Sequence, residues 1–255
     1  MIQEVCPVTS NNVVGSNIFV LSICSPEISS TVQPGQFVNI KVNERTVPLL
    51  RRPFSVYRVN GDNLEIIFNV IGIGTKILSS KSPGDVINVM GPLGRWYGID
   101  GGYETALLIA GGLGVAPLPM ITAALKRKGG KITTFLGART SDQLVCSHLE
   151  NINLATDDGS VGYHGTIVDC LRSWLGRNNH ARFKIFGCGP NTMLKRLSYL
   201  AQEYNIPCEV SLESAMACGI GICQGCPVEK VGNEQKYSLI CKEGPVFNTR
   251  TIVIE

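Results

Sequence analysis

The first hundred residues are written in short runs of Val, Ile and Phe, each about one strand long. Such runs occupy residues 12–24, 36–42, 53–59, 64–70 and 85–90. Turn-forming clusters separate them: Gln33-Pro34-Gly35-Gln36, Asn60-Gly61-Asp62-Asn63 and Ser82-Pro83-Gly84-Asp85. One short helical piece, 75–80, interrupts the series. Short punctuated strands of this kind predict a small antiparallel barrel or sandwich.

Near residue 103 the pattern changes to alternating strand and helix. A continuous apolar run at 104–110 suits a buried parallel strand. A glycine loop and a helix to Lys128 follow. Then come a strand at 131–137, a weakly patterned helix from Ser141 and a strand at 152–156. A helix at 166–175, a strand at 182–186, a helix at 191–204 and a strand at 208–212 complete the series. Repeated βα units predict a parallel sheet covered by helices. The expected division is a barrel at 1–100, an α/β unit at 101–212 and a small lobe at 213–255. The lobe is too short for a core of its own, so a bound metal would supply its folding energy.

Composition narrows the function. The chain has 255 residues, 44% hydrophobic and 17% charged, with a net charge of +3. That balance argues for neither nucleic acid nor a membrane surface as partner. No run of about eighteen apolar residues is present, so no membrane span is expected. Met1-Ile2-Gln3-Glu4-Val5 lacks the features of a signal peptide. Six of the ten cysteines, Cys6, Cys24, Cys146, Cys170, Cys188 and Cys208, are scattered without a framework. They read as small buried hydrophobes in a reducing compartment, and the protein reads as cytoplasmic.

The other four, Cys218, Cys223, Cys226 and Cys241, carry the sharpest signal. Their spacing, C-x4-C-x2-C-x14-C, is that of a plant-ferredoxin [2Fe-2S] cluster. Gly219, Gly221 and Gly225 allow the loop to wrap tightly and aim backbone N–H groups at sulfur. The competing reading is structural zinc, which usually takes two C-x2-C knuckles; only Cys223 and Cys226 form one.

Weaker motifs precede the cysteines. In Arg51-Arg52-Pro53-Phe54-Ser55-Val56, a guanidinium could grip a pyrophosphate and a hydroxyl could approach a flavin; taken alone, these are also ordinary surface residues. Gly72-Ile73-Gly74-Thr75 opens a helix and suits an anion, or is a simple cap with Thr75. Gly112-Leu113-Gly114-Val115-Ala116-Pro117 resembles a dinucleotide loop without the third glycine. No acid stands at the end of the second strand of this unit, where Arg139 would favour a 2′-phosphate or simply be solvated. Cys188, with Gly189 and Pro190, follows a strand where a nicotinamide could approach. Glu213 ends the last strand and could face a flavin. Ser55, Cys188 and Glu213 are thus the candidates for a catalytic role. His148, His164 and His180 have no metal-ligand spacing and read as solvent or packing residues.

Together these residues resemble the ferredoxin-reductase superfamily. More narrowly, they are similar to the electron-transfer subunits of class 1B dihydroorotate dehydrogenases. The resemblance rests on Arg52-Pro53-Phe54-Ser55, Gly74-Thr75, the Gly112 and Cys188 loops, and the stretch from Glu213 through Cys241 to Gly244-Pro245-Val246-Phe247. It implies a ferredoxin-NADP-reductase-like fold with FAD on the barrel, NAD on the sheet and a [2Fe-2S] cluster in the lobe. It implies FAD contacts from Arg52, Pro53, Phe54, Ser55, Ile67, Phe68, Asn69, Gly74 and Thr75. NAD would meet Gly112, Gly114, Cys188, Gly189 and Pro190. It further implies a partner subunit carrying FMN that oxidises dihydroorotate, in a heterotetramer of two copies of each. Phe54 departs from the Tyr of many superfamily members and removes a hydroxyl. Reductase subunits of ferredoxin-, sulfide- or hydrogenase-linked complexes share the same modules, and a zinc-stabilised interaction protein is the alternative of another class.

Overall fold

A computed structural model describes residues 1–178, 181–232 and 236–255. His180 therefore lies outside the described residues. The amino-terminal strands are β1 (Ile2–Gly15), β2 (Ile18–Cys24), β3 (Phe37–Lys41), β4 (Arg52–Asn60), β5 (Asn63–Asn69) and β6 (Val86–Leu93), with helices α1 (Pro26–Thr31) and α2 (Ile73–Ser79). The strands close into an antiparallel barrel in the order β1-β2-β5-β4-β3-β6. Val38, Ile40, Val56, Leu64, Ile66, Ile87 and Val89 fill it, and Ile28 of α1 and Leu78 of α2 pack into the same core.

Two features depart from the pattern reading. Residues 12–24 are not one strand but a hairpin arm. The chain reverses at Ser16-Asn17, where Asn17 takes a left-handed φ of 58° and its side-chain amide donates to the Val70 carbonyl at 2.9 Å. Asparagine tolerates that conformation through such local hydrogen bonds. β1 also reaches back to Ile2, pairing with β6 from Ile2↔Gly91 to Pro7↔Val86. Its outward side holds Val5 and Pro7, so hydrophobic alternation is blurred there. The short α1 also escaped the pattern; Pro26 starts it.

The second unit contains β7 (Thr105–Gly111), β8 (Lys131–Ala138), β9 (Ile152–Thr156), β10 (Tyr163–His164), β11 (Phe183–Cys188) and β12 (Cys208–Ser211). Helices α3 (Leu118–Arg127), α4 (Ile167–Leu175) and α5 (Asn191–Glu203) cover the sheet. The parallel order is β10-β9-β8-β7-β11-β12. The winding reverses between β7 and β11, which makes their carboxyl ends the expected ligand crevice. The glycine loop forms a single 3₁₀ turn at Gly112–Val115 before α3, and the helix expected from Ser141 is only the turn Ser141–Gln143. No described helix is long and apolar enough to cross a membrane.

The tail adds a hairpin, β13 (Pro227–Glu229) with β14 (Tyr237–Leu239), and β15 (Val246–Asn248). β15 joins the large sheet antiparallel to β12, pairing Val210 with Phe247. Cys226, Val228, Ile240, Cys241, Phe247 and Ile252 share one apolar cluster with Ile185 and Val210 of the sheet. The tail thus has no separate core; it is anchored by apolar burial against the sheet, a source of folding energy the reading from its length did not include.

Tyr97 fastens these parts together. It is 1% exposed, its backbone N–H donates to Pro34 at the barrel, and its hydroxyl donates to the Gly187 carbonyl in β11 at 2.8 Å. Burial pushes its hydroxyl well above the ordinary tyrosine range, so it remains a donor. Gly35 (φ 99°) is required beneath it, since a Cβ there would meet the ring at 2.6 Å. Tyr97→Phe should strand a buried carbonyl and lower stability by about 1–3 kcal/mol. Urea unfolding should show a lower midpoint at unchanged slope.

Candidate functional site

A cavity of about 670 Å³ lies between barrel and sheet, within the size range of cofactor clefts. Strand β4 contributes Pro53, Phe54 and Ser55; β5 contributes Ile67, Phe68 and Asn69; α2 contributes Thr75. Phe68 is held between Phe19, stacked at 5.7 Å, and Phe54, tilted at 5.9 Å. Pro53, Phe54, Ile67 and Phe68 give the cavity apolar surface, and Ser55, Asn69 and Thr75 add polar groups to its lining.

The two arginines of the β4 motif differ. Arg51 is a brace: it donates to the carbonyls of Asn39 and Asn88 and to Asn88 Oδ1 at 2.7 Å. Arg52 donates only to the Leu50 and Arg51 carbonyls, and its side chain lies across Gly74, whose Cβ would stand 3.1 Å from Nε. The fold thus joins the Arg52 and Gly74-Thr75 motifs. The cap of α2 is Gly72 and not Thr75, which stands at the third helical position and reaches back, its Oγ1 accepting from the N–H groups of Ile71 and Gly72. Beside it, a Cβ on Gly72 would meet nothing within 4 Å. This is an open cradle of the kind an anion occupies.

A second cavity, of about 700 Å³, opens at the carboxyl ends of the parallel strands. Gly112, Gly114, Gly189 and Pro190 line it, as do Arg139, Asp157, Thr166 and Arg196. Gly114 cannot be replaced without movement, because a Cβ would lie 2.2 Å from the Cys188 carbonyl oxygen. Cys188 is 2% exposed and sits under the cavity rather than in its lining; burial, then the charge of Glu213, raise its thiol pKa. Arg196 is tied to Asp169 at 2.7 Å at the start of α4. The sequence reading missed Asp157, which follows β9 and enters the cavity beside Arg139. The signal was Asp157-Asp158-Gly159 after the third strand rather than the second.

Gly112, Leu113, Gln143 and Glu213 line both cavities, so the two are contiguous. Glu213 stays open to solvent in the cleft, yet crowding by the walls of both cavities desolvates its carboxyl and pushes it up from its ordinary range. Ser211 to Ser214 and Met216 run along the first cavity. Two residues further on the cysteine loop begins.

Backbone N–H groups of that loop, and of the segment that follows it, point at its sulfurs. Cys218 Sγ accepts from the N–H groups of Cys223 (3.4 Å) and Ile220 (3.5 Å), and Cys226 Sγ from Cys241 N–H (3.4 Å). Desolvation resists ionisation of Cys218, but these N–H groups outweigh it and bring the thiol down to about 6. Desolvation followed by the Cys226 thiol pushes Cys241 up to about 12. Gly219 (φ 72°) and Gly221 (φ 85°) need their left-handed backbones, whereas Gly225 does not. No three His, Cys, Asp or Glu side chains among the described residues gather as a single ion would require. The donor chemistry, four free thiols in the tail with N–H groups aimed at the sulfurs of Cys218 and Cys226, fits a two-iron cluster.

A barrel cavity, a switch-point cavity and a four-thiol loop in contiguity define a flavin- and nucleotide-dependent iron–sulfur electron-transfer protein. Residues 213–253 match the family model for the iron–sulfur cluster binding domain of dihydroorotate dehydrogenase B. The electron transfer subunit of dihydroorotate dehydrogenase B (NAD(+)) from Desulforamulus reducens is 37% identical over 251 residues, 95% of each chain. That from a Geobacillus species is 34% identical over the full length of both. A solved NADH-dependent reduced ferredoxin-NADP oxidoreductase superposes with a TM-score of 0.88 at 32% identity, covering 98% of this chain and 90% of that one. The chain belongs to the family of dihydroorotate dehydrogenase B electron transfer subunits.

Gly114→Ala should force the β7 and β11 loops apart at a cost of about 1–3 kcal/mol. The displaced loops should also slow stopped-flow reduction by NADH by about tenfold, which corresponds to ~1.4 kcal/mol on the barrier, while the bound flavin and its spectrum are retained.

Proposed function

We propose that this chain carries electrons between a dihydroorotate-oxidising partner and NAD in pyrimidine biosynthesis. When bound, FAD exchanges a hydride with NAD and single electrons with the [2Fe-2S] cluster. The observation that carries the reading is the segment from Ser211 to Cys218. It lines the first cavity, contributes Glu213 to the second and ends on a cluster thiol.

In this reading residues 1–100 hold FAD, 101–212 offer NAD and 213–255 hold the cluster. Arg52 presents a planar donor set to the pyrophosphate, with Gly74 and Thr75 as the second contact. Ser55 and Asn69 supply polar edges, Pro53, Ile67 and Phe68 the apolar floor; Phe54 adds a ring but no hydroxyl. Gly112, Gly114, Gly189 and Pro190 let the nucleotide approach backbone closely. Cys188 supports that loop from below as a neutral thiol. Glu213 faces both cofactors. Cys218, Cys223, Cys226 and Cys241 are the cluster ligands.

Asp157 sets the nucleotide choice. Its carboxylate can accept from a ribose 2′-hydroxyl and repels a 2′-phosphate, opposing Arg139. Asp157→Asn should therefore raise the kcat/KM for NADPH relative to NADH by about tenfold, or ~1.4 kcal/mol of discrimination. An unchanged ratio would remove Asp157 from that role.

The partner in this reading is an FMN-containing catalytic subunit, assembled with this chain as a cytoplasmic heterotetramer of two copies of each. The chain alone should oxidise NADH with an artificial acceptor and leave dihydroorotate untouched. Cys226→Ser should abolish the cluster absorption and transfer to the partner, with NADH reduction of FAD preserved. Dihydroorotate oxidation by the isolated chain, or normal coupled activity in Cys226→Ser, overturns the proposal. The likeness to the NADH-dependent ferredoxin-NADP oxidoreductase favours a second reading, a subunit of a ferredoxin-linked transhydrogenase. The subunit that co-purifies distinguishes the two.

A further inference from the structure

Asn39 lies in the middle of β3, flanked by Val38 and Ile40, which point into the barrel core. Asparagine is disfavoured in strands, and this one is 1% exposed. Its Nδ2 donates to the carbonyl of Cys218 at 3.2 Å. Its Oδ1 is buried without a partner. An unsatisfied buried oxygen costs about 1–3 kcal/mol, so its presence calls for a reason outside barrel stability.

The surroundings supply one. Phe37, two residues earlier on the same side of the strand, lines the flavin cavity, and so does Pro53, the β4 residue paired with Asn39. Arg51 holds this stretch rigid by donating to the Asn39 carbonyl at 3.3 Å. Across the gap, Gly219 presses its backbone onto the amide; a Cβ there would stand 2.4 Å from Nδ2. Among the described residues, this is the only side-chain hydrogen bond between the barrel and residues 214–226.

Resting on the reading of these cysteines as cluster ligands, we infer that Asn39 is a positioning residue that fixes the cysteine loop in register against the wall of the flavin cavity. The strand supplies a rigid base, the amide nitrogen seizes the ligand's own peptide, and the glycine permits contact. The distance and environment of the cluster relative to the flavin then follow from one amide on a rigid strand rather than from the loop itself.

The test uses the full-length chain, purified anaerobically with its cofactors, and two variants. Asn39→Leu keeps the heavy-atom count and the branch at Cγ, with bulkier methyls, and removes both the donor and the orphan acceptor, so the barrel should remain folded. Asn39→Asp keeps the shape and turns a carboxylate toward the Cys218 carbonyl. In both, hydrogen exchange of the 216–226 peptide should quicken by about tenfold while barrel peptides keep their protection. The electron paramagnetic resonance signal and midpoint potential of the reduced cluster should shift, and reduction of FAD by NADH should stay at the parent rate. Parent-like exchange and spectrum in both variants overturn the inference. Loss of barrel protection in both overturns it too, since Asn39 would then serve the fold. Absence of iron and sulfide from the parent protein refutes the cluster reading instead, and the exchange comparison still decides whether Asn39 holds the loop.

Discussion

The pairing of β12 with β15 is the contact on which the remaining arrangement depends. Val210 and Phe247 face each other there, and the apolar cluster beneath them includes Cys226 and Cys241, two of the four cysteines of the tail. Around that ladder the tail is held by the shared apolar cluster, by the Asn39 bond to the Cys218 carbonyl and by the Arg95 N–H donating to the Gly244 carbonyl. With the ladder in place, the chain leaving β12 must run along the flavin cavity before turning into the cysteine loop. Tyr97 works at the other side of the same strands, tying β11 to the barrel. The cavity between barrel and sheet is therefore bounded by elements that cannot drift independently.

The thiols extend this argument to chemistry. Cys226 and Cys241 are buried in the docking core, while Cys223 is exposed and Cys218 half-buried. The acidic thiol is on the open side and the resistant one on the buried side. Cys223 stands beside Ile222, which is 76% exposed, so this part of the loop faces solvent.

Much of this was legible in the sequence. Strands β3 to β6 announced themselves because their turns contain Pro, Gly, Asn or Asp, and the parallel strands because both their faces are buried. The cysteine spacing carried its chemistry without any structure. Three things were hidden for physical reasons. β1 mixes exposed apolar residues with Pro7, so its period is unreadable, and the Ser16-Asn17 reversal lacks a glycine at the tip. The tail seemed coreless because its apolar residues pack on residues far away in sequence, such as Ile185. Asp157 and Asn39 belong to cavities and contacts assembled from separate strands. Motif reading attends to neighbours along the chain, and neither residue has its partner there.

The four residues common to both cavities have one more consequence. Gly112, Leu113, Gln143 and Glu213 belong to the walls of both cavities, so a shift of these residues on binding at one would change the surface met at the other. Any such influence on affinity is equal in both directions by thermodynamic reciprocity. A flavin held more firmly when nucleotide is present obliges the nucleotide to be held more firmly by the flavin-loaded protein.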